Sequence, residues 1–132
     1  MKDLKSTVRY GVVSAVYPER ATVRIMFSDR ENLVSAELAV LQGFGLKNKS
    51  YVLPDVGESV VCLMTPNSED GSGFVLGSFY HENSPPPATS QDISMIKFAD
   101  GSVISYDRAK HELNVNINGN IRINGKIIYL NS

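Results

Sequence analysis

The stretch Leu113–Ser132, LNVNINGNIRINGKIIYLNS, decides the fold of this chain. From Leu113 to Tyr129 its odd positions are apolar or glycine, and from Asn114 to Lys126 its even positions are polar. This alternation is typical of a β-strand with one apolar face. The stretch also contains a repeat, in which INGNIR at 117–122 is followed by INGKII at 123–128.

Two Asn-Gly pairs, at 118–119 and 124–125, are strong hairpin signals by themselves. A two-residue turn at either pair would place an isoleucine beside a polar residue on one face, whereas a chain that continues keeps its apolar side intact. We therefore predict one extended segment, about 17 residues long, that would span about 56 Å. A lone strand of this length cannot bury its apolar side. Several identical chains wound round a common axis can bury this side, with glycines at the positions where the backbones approach closely.

The alternation predicts which side chains face that axis, and they lie at odd positions: Val115, Ile117, Ile121, Ile123 and Ile127. The pattern fails at Ile128 and Leu130, where apolar residues fall on both sides. These two residues either widen the end of the packed stripe or present an apolar patch to a protein at the tip. The sequence leaves both alternatives open.

Composition narrows the class of protein. The 132 residues fit one domain with an appendage or two very small domains, and a net charge of −1 gives no global signal for nucleic acid. The single cysteine, Cys62, excludes an intrachain disulfide framework. The first residues show no signal peptide, and no apolar run approaches the roughly 20 residues that span a bilayer. We expect the protein to be made and folded in the cytoplasm.

Residues 1–82 are predicted to form a small closed β-barrel. Strand patterns occur at 8–17, 21–27, 33–41, 59–64 and 74–80, and polar turns are expected at 28–32 and 65–73. The second pattern predicts a half-buried strand with Val23, Ile25 and Phe27 on its apolar side. The 33–41 segment could also be helical by propensity. A strand is favoured, with an apolar face of four even positions, and 59–64 should be covered on both sides, with its cysteine buried. Closure of the sheet would remove its edges. The four even positions are Val34, Ala36, Leu38 and Val40.

Residues 83–91 are predicted to be a linker, because three consecutive prolines favour an extended segment. Residues 92–132 then hold a hairpin and the striped segment. An Asp100-Gly101 turn is expected to place Phe98 across from Val103, and 107–110 forms a second turn. An isolated hairpin is marginal in water, so this half should need copies of itself.

Catalytic, metal and cofactor motifs are not recognisable. His81 and His111 have no second ligand at a familiar spacing, and no nucleophile elbow or phosphate-binding loop occurs. We predict no catalytic residue, no metal site and no cofactor.

A small barrel raises single-stranded nucleic-acid binding as an alternative function, since OB-folds often bind strands through aromatic residues and a basic groove. The candidate residues are Tyr10, Arg24, Phe27 and Arg30. Balanced charge and the absence of tryptophan favour core packing and solvation for them instead. A carbohydrate-binding β protein is a third alternative, which the missing signal peptide and tryptophan disfavour.

Four segments, in order from Gly11 to Val115, resemble the phage baseplate assembly protein V family. This family is the central spike of contractile tails, and it has relatives in type VI secretion and in tailocins. The segments are GVVSAVYPERATVRIMF from residue 11, LPDVGESVVCLM from 53, GFVLGSFYHENSPPP from 73 and FADGSVISYDRAKHELNV from 98. Each is weak alone, and the combination is fairly specific.

The resemblance implies an N-terminal OB-fold and a C-terminal trimeric β-helix. The chain would be a homotrimer whose barrels join tail-tube and baseplate hub proteins, and whose needle the contracting sheath drives through the host envelope. It would be produced in the bacterial host cytoplasm and assembled into the baseplate of a virion or phage-tail-like particle. Its barrel would serve assembly and bind no nucleic acid.

The chain departs from the family in two ways. Some members hold an apical iron ion with a His-x-His motif, which does not occur here, so no such metal is expected. Some relatives carry a domain that digests cell wall, for which 132 residues leave no room, so no enzyme is expected. A separate tip-capping protein would fit the short needle.

Overall fold

The computed structural model describes residues 7–27, 33–66 and 71–131. These residues contain β-strands, turns and irregular segments and no helix, which confirms the predicted all-β class. Accordingly, the described part of the chain has no helix that is long and apolar enough to cross a membrane. The chain divides into two compact units, Met1–Pro85 and Pro86–Ser132.

The first unit is a closed barrel, as predicted. Its strands pair in the order β1-β5-β6-β4-β2, and β2 returns to pair with β1. The short β3 and β4 both pair with β2, so together they act as one interrupted strand. The β4–β6 pair is parallel and the others are antiparallel, which is the five-stranded Greek-key arrangement of an OB-fold. The strands are β1 (Val8–Tyr17), β2 (Thr22–Phe27), β3 (Leu33–Val34), β4 (Leu38–Val40), β5 (Ser59–Met64) and β6 (Gly73–Ser78).

The barrel core is built by alternate residues of these strands, as the period of two requires. In β2 the predicted inward residues Val23, Ile25 and Phe27 are all buried. The other core residues come from β1, β4, β5 and β6. Gly11 is needed where β1 crosses β2, because a Cβ there would lie 2.8 Å from the carbonyl oxygen of Met26 and closer still to Ile25. The core residues are Val13, Val23, Ile25, Phe27, Leu38, Val60, Cys62, Met64 and Val75.

Residues 33–41 differ from the predicted single strand. They form β3 and β4 with a break between them, and Val34 is exposed while Ser35 is buried. The reason is hydrogen bonding: Ser35 Oγ accepts the backbone N–H of Ile25 at 3.0 Å and donates to the carbonyl oxygen of Ala36 at 2.6 Å. A buried hydroxyl with both partners satisfied costs little. The polar turn predicted at 28–32 lies outside the described residues, as does part of that predicted at 65–73.

Strand β5 has one buried face, so the prediction of cover on both sides is wrong for the single chain. Val60, Cys62 and Met64 point into the core, whereas Leu63 is exposed. The predicted burial of Cys62 is confirmed, and burial raises the pKa of its thiol to about 11. Outward apolar residues in a barrel strand resemble a strand that is buried twice, and sequence alone does not separate the two cases.

The second unit is a three-stranded antiparallel sheet in the order β7-β8-β9. The strands are β7 (Ile93–Lys97), β8 (Val103–Asp107) and β9 (Glu112–Asn116). The predicted turn at 107–110 is confirmed: Asp107 Oδ1 accepts the backbone N–H of Ala109 at 2.9 Å. The guanidinium of Arg108 lies 2.7 Å from the carboxylate of Asp92, and the backbone N–H of Arg108 donates to the backbone carbonyl oxygen of Asp92 at 3.0 Å. These two contacts fix the turn to the start of β7.

The β7–β8 hairpin has a different register from the predicted one. Lys97, not Phe98, pairs with Val103. The backbone N–H of Phe98 donates to the carbonyl oxygen of Ser102, and the carbonyl oxygen of Phe98 accepts the N–H of Gly101. The loop is therefore three residues, 99–101, and its last residue has φ of +89°. This is the three-residue hairpin in which a type I turn is followed by a left-handed glycine.

Strand pairing in the second unit ends at Asn116. Residues 117–131, which we call the tail, form no β-ladder with any described residue, and neither Asn-Gly pair closes a hairpin. The predicted extended segment of 113–129 therefore lacks a pairing partner beyond β9 in one chain.

Candidate assembly surface

One face of the second-unit sheet is apolar and exposed. The register places Ile96, Ile104 and Val115 side by side across β7, β8 and β9, with Tyr106 and Leu113 forming the next row. All five side chains are exposed. We call these five residues the apolar sheet face. Because this apolar side lies in water, its burial does not stabilise the sheet within one chain.

The tail continues this apolar character. Of the predicted axis residues, Val115 belongs to the apolar sheet face, and Ile117 is partly buried. Ile121, Ile123 and Ile127 lie in the tail, and with Val115 they are between 46% and 69% exposed. The predicted tip residues Ile128 and Leu130 are exposed as well. One chain therefore brings Val115 together with Ile96 and Ile104 and leaves the later predicted axis residues, Ile121, Ile123 and Ile127, exposed.

The tail leaves the sheet through a small hydrogen-bonded cluster, which we call the Asn118 clasp. The backbone N–H of Asn118 donates to Ser102 Oγ at 3.0 Å, and its side-chain amide donates to the carbonyl oxygen of Asp100. Ser102 is only 4% exposed, and its own N–H donates to Asp100 Oδ1 at 2.9 Å. The hairpin loop thus fixes the position at which the tail starts.

The electrostatics of the clasp favour an ionised Asp100. The backbone N–H of Ser102 donates to its carboxylate, and this bond, followed by the Ser102 side chain, lowers the pKa of Asp100 below its usual value. The side chain of Asp100 is exposed to solvent, and its carboxylate accepts the hydrogen bond from the Ser102 N–H. Its role is therefore to hold the loop.

The proposed nucleic-acid residues do not form a binding surface. Phe27 is 2% exposed and is covered by the guanidinium of Arg9, 3.7 Å from the ring centre, so no base can stack on it. Arg24 donates to Tyr17 Oη at 3.1 Å and to the carbonyl oxygen of Ser35 at 3.0 Å. Tyr10 is exposed, and Arg30 lies outside the described residues. Phe27 is therefore part of the barrel core and offers no surface on which a base of a nucleic acid could stack.

The described residues also offer little for catalysis. A cleft of about 350 Å³ beside β6 contains the polar side chains of Gln42, Ser50 and Glu58. Each already has a partner within the chain: Gln42 donates to the carbonyl oxygen of Val52, Ser50 Oγ accepts the N–H of Gly43, and Glu58 accepts from Ser78. No three His, Cys, Asp or Glu side chains in the described segments are grouped as metal ligands would be.

Both histidines belong to turns. His81 Nδ1 accepts the backbone N–H of Asn83 at 3.3 Å. His111 has φ of +55°, where it reverses the chain between β8 and β9. These positions give each histidine a structural role.

The chain is thus an all-β protein with an OB-type barrel and a sheet that has an exposed apolar face. Large exposed apolar patches mark interaction sites. Over 69 residues the chain is 35% identical to a protein named "Spike protein" from Escherichia phage P2. The match covers 52% of this chain and 32% of that protein, so the chain spans about a third of its relative. No family model matches the chain.

The likeness is thus distant and partial, and it supports relation to phage tail spike proteins.

Sequence reasoning missed two parts of the candidate assembly surface. The row of Ile96 and Ile104 beside Val115 depends on the three-residue loop, and the Asn118 clasp depends on contacts between residues 16 or more positions apart. The Asp-Gly-Ser sequence at 100–102 could have indicated the clasp, because it combines a turn signal with a hydroxyl that can form hydrogen bonds.

Proposed function

We propose that this chain is a structural, non-enzymatic subunit of the central spike in a phage tail or phage-tail-like particle, and that it acts as a homotrimer. The observation that carries the proposal is the uncovered apolar surface of the second unit, in a chain similar to a phage spike protein. Rigidity would come from hydrogen bonds between chains and from an apolar axis.

The proposed trimer buries what the single chain exposes. Three tails wind round one another, so that Val115, Ile117, Ile121, Ile123 and Ile127 of each copy face the axis. Burial of each isoleucine stabilises the assembly by about 1.5–3 kcal/mol relative to exposure. Backbone groups of the tail, which form no β-ladder with the described residues of their own chain, pair between chains and form an intertwined β-helix or β-prism.

Glycine has a defined place in this arrangement. Gly119 and Gly125 share the parity of the axis residues, and a Cβ at Gly119 would meet nothing within 4 Å in one chain. Their small size would matter only where the three backbones approach each other. The Asn118 clasp sets the starting position of each tail.

The remaining parts of the chain receive roles that follow from this proposal. The barrel joins tail-tube and hub proteins of the baseplate, and residues 83–91 link it to the needle. Ile128 and Leu130 contact a separate tip-capping protein. The trimer is made in the bacterial cytoplasm, is assembled into the particle and crosses the host envelope when the tail contracts.

Oligomeric mass tests the proposal directly. In sedimentation equilibrium we expect about three times the chain mass of 14.5 kDa. Ile121→Asp or Ile123→Asp should give monomers, because three unpaired carboxylates would be buried together. Asn120→Asp is the matched control: it adds the same charge to the polar side of the tail and should remain trimeric.

Two results would contradict the proposal. A monomeric wild-type chain would exclude the trimeric spike, and a trimeric Ile121→Asp variant would show that the assigned axis face is wrong. A monomer that binds an oligonucleotide tightly, with strong dependence on salt, would favour the nucleic-acid alternative.

A further inference from the structure

The segment 41–54, which follows β4 in the first unit, exposes several large apolar side chains. Phe44 and Leu46 are 61% and 79% exposed, and Tyr51 and Val52 are exposed as well. We call this segment the 41–54 loop. Large apolar side chains that stand in solvent within one short segment are the pattern of a surface that meets another molecule.

Hydrogen bonds hold the 41–54 loop in one conformation. The side-chain amide of Gln42 donates to the carbonyl oxygen of Val52 at 3.0 Å, and Gln42 Oε1 accepts the N–H of Val52 at 3.2 Å. Ser50 Oγ accepts the backbone N–H groups of Gly43 and Phe44 at 3.0 and 3.3 Å. The loop therefore has its shape before a partner arrives, and binding would cost it little conformational freedom.

The tip of the loop carries only positive charge. It lies between Gly45 and Lys49, which form a β-bridge. Lys47 and Lys49 are exposed, and neither forms an ion pair with a described residue. No Asp or Glu occurs from residue 38 to residue 54, although the whole chain has a net charge of −1. Exposed cations beside exposed apolar side chains match a surface of the opposite charge.

A cleft extends the apolar surface from the loop to β6. This is the cleft of about 350 Å³ described above, and the exposed side chains of Leu41, Val52 and Leu76 are among those that line it. Its polar side chains already have partners within the chain. The open part of the cleft therefore favours an apolar group, because a polar group would lose its hydrogen bonds to water there.

We propose that the 41–54 loop binds an acidic segment of another protein in the tail baseplate. An apolar side chain of that segment enters the cleft, and carboxylates beside it face Lys47 and Lys49. The inference rests on the proposed function, in which the barrel joins other baseplate proteins, and it names the surface and the chemistry of that contact. A protein is favoured over a lipid surface because a rigid loop with a cleft of this size offers shape complementarity, which a lipid surface does not use.

Site-specific photo-crosslinking of the full chain, in the cells that naturally produce it, tests the inference. A photoreactive benzoylphenylalanine replaces Leu46 in the loop or, as a matched control, Leu33 in β3, which is also exposed and lies outside the loop. We expect position 46 to give about tenfold more product than position 33, joined to another protein, because only the loop lies in the contact. Mass spectrometry of the joined peptide should find Asp or Glu beside an apolar residue. Position 44 repeats the measurement if the first variant does not fold.

Charge reversal tests the chemistry of the partner. Lys47→Glu combined with Lys49→Glu should lower the yield at position 46 about tenfold, because carboxylates would then face carboxylates. Lys47→Arg combined with Lys49→Arg is the matched control and should keep the yield. Sedimentation should give one mass for all these variants, because the loop belongs to the first unit and the proposed trimer axis to the second.

The outcomes decide between the alternatives. A product joined to a second copy of this chain or to a phospholipid overturns the inference, as does a yield at position 46 no higher than that at position 33. A yield that survives charge reversal overturns the acidic partner. A trimer by mass without the product overturns the loop contact alone. A monomer overturns the spike proposal, and the crosslink then decides the loop contact by itself.

Discussion

The two units of this chain solve the problem of an exposed sheet in different ways. In the barrel β1 pairs with β2, so the sheet closes on itself. Its alternate side chains form a core within one chain. The second unit leaves β7 and β9 as edges and keeps Ile96, Ile104 and Val115 in solvent. If the proposed trimer forms, the stability of the barrel should be intrinsic to one chain, and that of the second unit should depend on assembly.

A leucine truncation in the barrel should show the largest effect. Leu38 is fully buried in the core, so Leu38→Ala should destabilise the barrel by about 2–5 kcal/mol through lost burial and the cavity that remains. Chemical denaturation followed by tyrosine fluorescence would measure the loss. The midpoint should shift equally at low and high protein concentration, and a concentration-dependent shift would contradict an intrinsically stable barrel.

The same substitution in the second unit should depend on assembly. Leu113 is exposed in one chain, so Leu113→Ala should change little in the Ile121→Asp monomer. In the assembled protein it should weaken association by up to about 1.5–3 kcal/mol per copy, because that burial is lost. Sedimentation over a dilution series measures this change. Equal stability of wild type and variant in both states would show that Leu113 stays in solvent.

A smaller effect is expected at the clasp. Gly101 has φ of +89°, and a Cβ there would lie 3.3 Å from Asn118 Nδ2. Gly101→Ala should therefore destabilise the second unit by about 1–2 kcal/mol. Gly45→Ala is the control, because nothing lies within 4 Å of its Cβ position and its φ is not positive. Hydrogen exchange at the Asn118 amide would report the opening, and unchanged exchange would contradict the clasp.

The smallest predicted effect is a dependence on pH. The hydrogen bonds from Ser102 lower the pKa of Asp100, so the ionised form is favoured in the folded loop. The contribution is present above the ordinary aspartate pKa near 4 and is lost as pH falls through the lowered folded value. The Ser102 amide shift, followed by NMR from pH 5 to 2, should titrate with a midpoint below the ordinary aspartate pKa. Asp100→Asn should abolish this titration, and a midpoint at or above 4 would exclude the assigned bond.

Strong alternation made much of the barrel predictable. Val23, Ile25 and Phe27 repeat every second residue, and all three are buried as expected. The break at Ser35 was not predictable, because its burial depends on the backbone of Ile25 in another strand. The local sequence pattern shows which residues are apolar. It does not show which polar side chain will find a hydrogen-bond partner on another strand of the barrel.

The assembly surface was predictable only in part. The parity of 113–127 identifies the apolar side of the tail, but the neighbours of Val115 on the sheet follow from the length of the loop at 99–101. A two-residue turn and a three-residue loop differ by one position, which moves every β7 side chain relative to β8. The exposure of Leu63 was not predictable either, because an outward apolar residue in β5 resembles one in a strand that is covered on both sides.

The Asn118 clasp also bears on the chemical ageing of the protein. Asn-Gly sequences deamidate readily, because the glycine nitrogen can attack the asparagine side chain and release ammonia. Asn118 is held at both its backbone N–H and its side-chain amide, whereas no hydrogen bond within the described chain holds Asn124 in the second copy of the repeat. Stored protein should therefore accumulate aspartate at 124 before 118. The first chemical damage would then fall at residue 124, and the hydrogen bonds between Asn118 and the hairpin loop would be kept.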